Sequence, residues 1–147
     1  LNALQGRSLA VDDAHTLAAV DGKRIAAVAW DWQQPVQAVS NTPFYTRRVP
    51  ASDSKPIVFR LAHVPAGTYR LQVRKTGYRR NDPLSLYIDM GMPKQLAADQ
   101  LTQLQQATRD VPEQDRRVRV GAEGAVAVTV PMRSNDVVLL TLEPATR

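Results

Sequence analysis

The stretch Asn81-Asp82-Pro83-Leu84-Ser85-Leu86-Tyr87-Ile88-Asp89-Met90-Gly91-Met92-Pro93 limits the fold more than any other, because it carries helix signals at both ends and lies between segments that read as strands. Asp82 is placed to cap the first free amides. Pro83 suits the first helical position, where its missing N–H costs nothing. Gly91 offers the left-handed residue on which helices stop, and Pro93 forbids continuation. Nothing in the stretch is chemically reactive, so it speaks to architecture alone.

Around it the period changes from that of a helix to that of strands. Leu17 to Val20, the pair Asp21-Gly22, and Ile25 to Trp32 read as a hairpin, since Asp-Gly tolerates the positive backbone angles of a tight turn. In its second strand Ala26, Val28, Trp30 and Trp32 share one face. The connection from Gln33 to Pro56 carries Pro35, Pro43, Pro50 and Pro56, which deny it a regular ladder, and its length predicts a short edge strand inside it. Ile57 to Leu61 and Thr68 to Arg74 are expected to pair through Ala62–Gly67. In the second of these, Tyr69, Leu71 and Val73 alternate with Arg70, Gln72 and Arg74, the pattern of a strand with one dry face.

Leu101, Leu104, Ala107 and Val111 recur at helical spacing and predict a second helix over Ala97 to Thr108, ended by Pro112. Asp99 favours its dipole, but no capping side chain precedes Ala97. Three further strands are expected at Arg117 to Val120, Ala125 to Val130 and Val137 to Leu142, with turns at Gly121 and Gly124 and at Ser134-Asn135. Six or seven short strands with one helical excursion exclude a doubly wound fold, which needs a helix between nearly every strand pair. The expectation is a mainly β chain: a single antiparallel β-sandwich over 1–147, immunoglobulin- or fibronectin-like, with a short two-helix insertion at about 83–109.

Hydrophobic content of 44% and charged content of 22% are globular values. No apolar run approaches the roughly 20 residues that span a bilayer. With no cysteine, thiolate catalysis, disulfides and cysteine-ligated metals are excluded, while cytoplasmic and periplasmic or secreted locations stay open. The net charge of +5 permits a polyanionic partner, yet the basic residues fall in short clusters such as Arg47-Arg48, Arg79-Arg80 and Arg116-Arg117-Val118-Arg119. They read as solvated faces, so neither nucleic acid nor membrane is expected as a partner. The chain starts at Leu1 without a basic and apolar leader, and is expected to be an excerpt of something longer.

Candidate chemistry is sparse. The only imidazoles are His15 and His63, and neither neighbours a nucleophile motif. Asp12-Asp13-Ala14-His15 reads as a turn, with no second histidine at ligand spacing, so neither a metal site nor a cofactor is expected. Glycoside cleavage needs two carboxyl groups flanking the scissile bond, whereas Glu113, Glu123 and Glu143 each fall in a turn or terminal segment. Asp31 lies between two tryptophans that would point to the opposite face of a strand. Phosphate-binding glycine loops are absent. Trp30, Trp32, Phe44 and Tyr45 either form a sugar-stacking platform or pack in the core or against another domain. No catalytic residue is assigned, and Trp32 and Tyr45 are the candidate carbohydrate-binding residues.

Several segments in this order resemble glycoside hydrolase family 39, the group of bacterial β-xylosidases and, more distantly, α-L-iduronidase. They are Ala29-Trp30-Asp31-Trp32, Ser40-Asn41, Pro43-Phe44-Tyr45, Pro65-Ala66-Gly67-Thr68-Tyr69-Arg70-Leu71, Gly77, Asn81-Asp82, Tyr87-Ile88-Asp89-Met90-Gly91-Met92-Pro93, Gln100-Leu101 and Asn135-Asp136-Val137-Val138-Leu139. The similarity runs from about Ala26 onward and lies in the C-terminal β-sandwich region. It implies a sandwich beside a catalytic (β/α)8 barrel whose two glutamates work as acid/base and nucleophile in a retaining mechanism. Neither glutamate maps here: the only Glu-Pro is Glu143-Pro144, preceded by Leu142 where the family motif has asparagine. Ala97-Ala98 depart from the Thr-Pro start that relatives more often carry.

The resemblance therefore implies a non-catalytic accessory domain of a β-xylosidase-like glycosidase. Its partner would be the barrel of the same parent chain, with oligosaccharide binding and a homodimer as further expectations. A carbohydrate-binding module using exposed aromatic rings is the alternative.

Overall fold

The computed structural model describes residues 3–33 and 50–145. Tyr69, Leu71 and Val73 are buried as their alternation predicts, and they belong to a ten-residue strand at the centre of the architecture. The strands are β1 (Arg7–Leu9), β2 (Thr16–Asp21), β3 (Arg24–Trp30), β4 (Asp53–Leu61), β5 (Gly67–Thr76), β6 (Gln114–Val120), β7 (Val126–Arg133) and β8 (Val137–Pro144). Helices α1 (Pro83–Asp89) and α2 (Ala98–Ala107) lie between β5 and β6. All pairings are antiparallel. Among the described residues one sheet has six strands in the order β1-β2-β3-β8-β5-β6, and the other is the pair β4-β7.

Between the sheets lies one apolar cluster. Ile25, Ala27 and Ala29 of β3, Leu71 and Val73 of β5, and Val138, Leu140 and Leu142 of β8 meet Phe59 of β4 and Val128, Val130 and Met132 of β7. This is the expected antiparallel β-sandwich with a two-helix insertion.

The expected pairing of Ile57–Leu61 with Thr68–Arg74 is corrected. β4 pairs with β7 and β5 with β6 and β8, so Ala62–Gly67 carries the chain from one sheet to the other. The cause lies in the connection itself: Val64 is buried, and its N–H donates to the Gly124 carbonyl at 2.9 Å. Gly124, at φ +62, allows that approach, since a Cβ there would stand 2.8 Å from the Val64 carbonyl oxygen. The two crossings between sheets are thus clamped side by side. Tyr69 secures the same corner by donating its hydroxyl to the Pro65 carbonyl at 2.8 Å.

Of the Gln33 to Pro56 connection, 34–49 lie outside the described residues, while Asp53–Pro56 extend β4. Pro56 is tolerated because the ladder with β7 lapses between Ser54 and Ile57. The first hairpin turns on Gly22-Lys23, because Asp21 still pairs with Arg24, and the positive φ of +56 falls on Gly22.

Helix α1 forms as its punctuation predicts. Asp82 Oδ1 accepts from the Ser85 amide at 3.0 Å, and Pro83 opens the first turn. At the other end Gly91, at φ +82, donates its N–H to Ile88 while Met92 donates to Tyr87, the paired bonds of a glycine-stopped helix. Tyr87 then donates its hydroxyl to the Pro93 carbonyl at 3.0 Å. Helix α2 lacks a side-chain cap, as its sequence predicts; instead Gln100 Oε1 accepts from the Ala97 amide at 2.9 Å. None of its residues is buried, and Leu101 and Val111 of the expected apolar stripe stay exposed.

Candidate functional site

The outer face of the six-stranded sheet is apolar at one end. Leu17 of β2, Val28 of β3 and Leu139 of β8 stand in one cross-strand row, and Trp30 and Val137 form the next. Leu17 is 51% exposed and Val137 42%. An antiparallel sheet with one wet face should alternate apolar and polar residues, but β3 reads Ile25-Ala26-Ala27-Val28-Ala29-Trp30 and β8 reads Val137-Val138-Leu139-Leu140. Both strands are therefore apolar on the inner face, which the core covers, and on the outer face, which β4 and β7 do not reach.

At this end the aromatic residues separate. The regular ladder of β3 stops at Trp30, which is half-buried and packs T-shaped against the His15 ring at 6.3 Å and 87°. Trp32 lies beyond it and is 70% exposed. Tyr45, its proposed companion, lies outside the described residues, as does Phe44. Asp31 is held by the β7–β8 turn: its N–H donates to the Asp136 carbonyl at 3.0 Å and its carbonyl accepts from Asn135 at 2.7 Å. The Asp31 carboxylate accepts from Gln33 Nε2 at 2.6 Å.

The residues weighed for catalysis stand apart. Asp13 accepts from the His15 amide at 3.0 Å and from the Thr16 hydroxyl at 2.8 Å, which makes Asp12–His15 a side-chain-capped turn. His63 is exposed, at φ +59, in the connection between sheets. Glu143 is paired with Arg24 at 2.7 Å and Glu113 with Arg80 at 3.2 Å. Among the described residues no group of three or more histidine and acidic side chains is placed to hold a metal ion.

A scan of family models and a search of curated proteins gave no match. Solved structures do match. The GH39 enzyme from Xanthomonas axonopodis pv. citri is 77% identical with a TM-score of 0.94, over 98% of this chain and 28% of that one. A monomeric β-xylosidase from Caulobacter crescentus CB15 is 50% identical with a TM-score of 0.91, over 99% and 29%. A GH39 β-xylosidase from Caulobacter crescentus is 40% identical with a TM-score of 0.74, over 97% and 26%. This sandwich is the one found in glycoside hydrolase family 39. The chain spans less than a third of the length of each of these enzymes.

The most deeply buried charged group among the described residues of this family 39 sandwich is one to which the sequence analysis assigns no role. Asp136, fully buried, accepts from the Arg133 amide at 2.8 Å and lies 3.7 Å from Lys75 Nζ and 3.8 Å from Arg133 Nε. Lys75, 7% exposed, donates to the Pro131 carbonyl at 2.6 Å and faces Glu113 at 3.7 Å. Gly77 is required here, because a Cβ would stand 2.0 Å from Asp136 Oδ1. The cluster ties β5, β7 and β8 together where the helical insertion leaves the sheet. Its signal in the strand pattern is a lysine at Lys75, on the inward side of the alternation set by Tyr69, Leu71 and Val73.

On the opposite part of the outer face, Arg70 binds Asp115 through Nε at 2.8 Å and again through Nη2, and Gln72 adds a donor at 2.8 Å. The Arg70 bonds, with that of Gln72, hold the Asp115 carboxyl down to about 2. A carboxyl depressed in the folded state contributes stability that is complete above its ordinary value of 3.8 and is lost as pH falls toward 2. Carboxyl-detected NMR should give an Asp115 midpoint near 2, and Arg70→Gln should raise it toward the ordinary value. A midpoint that Arg70→Gln leaves unmoved would dissolve the pairing.

Proposed function

We propose that this chain is the non-catalytic accessory domain of a β-xylosidase-like retaining glycosidase. In this reading residues 1–147 form one sandwich that packs on the catalytic (β/α)8 barrel of its parent and stabilises it. One observation carries the reading: at one end of the sheet β3 and β8 are apolar on both faces, and there Leu17 and Val137 of the outer face stay about half exposed while the inner face is covered by the core. Fully burying a leucine or valine side chain is worth about 1.5–3 kcal/mol. Half-exposed Leu17 and Val137 therefore leave part of that stabilisation unrealised until a neighbour covers them. The names of the relatives support the glycosidase assignment, and so does the greater length of each. The aryl β-xyloside assay is the test. The purified chain is expected to release no sugar, and turnover that follows the chain through successive columns would overturn the reading.

The exposure of Trp32, at 70%, favours a second reading, in which Trp32 and Tyr45 stack on a sugar. Titration with xylo-oligosaccharides under tryptophan fluorescence separates the two. The scaffold gives no saturable change, whereas a carbohydrate-binding module gives one that Trp32→Ala abolishes.

A further inference from the structure

Apart from its apolar end, the outer sheet face carries a line of charges. Arg24 binds Glu143 at 2.7 Å, Glu143 stands opposite Arg70 across β8 and β5, and Arg70 stands opposite Arg117 across β5 and β6. The signs alternate until the last pair, where two arginines face each other on neighbouring strands. Like charges directly opposite are destabilising. Arg70 is compensated by Asp115, while Arg116, Arg117 and Arg119 have no side-chain partner among the described residues. Arg117 borders an open groove of about 360 Å³ on this face, and Arg116, which stands opposite buried Leu71 and so on the other side of β6, reaches its rim.

The lining selects among anions. Asp115 and Glu143 also border the groove, so a polymer with a charge on every unit would meet two carboxylates along with the free arginines. No aromatic ring lines it, so nucleobases have nothing to stack on. A ligand bearing one carboxylate among several hydroxyl groups satisfies both signs: the carboxylate takes the arginines and the hydroxyls donate to the acids. Pro144 and Ala145 supply a small apolar floor of the kind a sugar's C–H face contacts.

We propose that this groove binds a uronic acid unit of an oligosaccharide, with its carboxylate on Arg117, Arg116 adding to the local field, and its hydroxyls on Asp115 and Glu143. The site lies on this chain alone and stands whether or not a barrel covers the apolar end of the sheet.

An amide NMR titration of the chain with glucuronosyl-xylose, against xylobiose as the neutral control, tests this. The acidic disaccharide should give saturable shifts confined to β6 and the end of β8. Xylobiose should give none. Arg117→Gln should weaken binding roughly tenfold, the effect of losing one charge-assisted hydrogen bond, while Arg60→Gln on the other sheet should leave it unchanged. The proposal falls if the disaccharide produces no saturation, if xylobiose or inorganic phosphate binds equally well, or if Arg117→Gln binds like the unsubstituted chain. A DNA oligomer that binds these arginines more tightly than the disaccharide would also overturn it, since it would mark a general polyanion surface.

Discussion

Asp136→Ala lowers the unfolding free energy by about 3–5 kcal/mol, the cost of removing one partner from a buried ion pair. Asp136 is fully buried and Lys75 nearly so, so water cannot replace the lost carboxylate. The substitution also orphans the Arg133 amide and leaves Arg133 Nε without its neighbouring carboxylate. Lys75 keeps Glu113 at 3.7 Å, which places the effect nearer the lower bound. For a chain of this length that is about 10 °C of melting temperature at roughly 3 °C per kcal/mol. Asp136→Asn preserves the acceptor for Arg133 and should cost less. Urea unfolding measures both. A loss under about 1 kcal/mol for the alanine variant, the scale of an exposed pair, would refute a buried role for this carboxylate.

Leu140→Ala should be comparably severe, at about 2–5 kcal/mol, because Leu140 is fully buried between the sheets and its loss leaves a cavity. Leu17→Ala on the outer face should cost about 1 kcal/mol or less, since half of Leu17 already meets solvent. The contrast is informative because both residues are leucines in strands of one sheet, on its opposite faces. Equal losses in chemical denaturation would mean that the two faces are not distinguished as described.

How far the fold could be read from the chain depended on how local each signal was. Asp82, Pro83, Gly91 and Pro93 act on their own backbone, and α1 formed where they placed it. The alternation from Tyr69 to Arg74 needs only one dry face, and β5 follows it. Partner choice was not legible. The five residues between β4 and β5 resemble a hairpin loop, and only the bond from Val64 to Gly124, some sixty positions away, turns them into a crossing between sheets. β1 is three residues long, too short to display a period, and was not anticipated.

The candidate site was read in part. Trp32 is exposed as a platform residue would be, but Tyr45 lies outside the described residues. The cluster around Asp136 escaped notice because its members are spread over four segments, and a single buried carboxylate leaves no periodic mark. The runs in β3 and β8 were visible as apolar stretches, but which of their residues share the outer face could be recognised only after the sheet order was known.

In the proposed role, the apolar end of the outer sheet face is a docking surface for a catalytic module. Co-expression of this chain with the remaining part of the Xanthomonas axonopodis enzyme, lacking its own matching region, tests it most directly. The two are expected to purify as a one-to-one complex, and the double variant Leu17→Lys with Val137→Lys is expected to fold but no longer to co-purify. Absence of a complex, or a complex that the double variant forms equally well, would contradict it.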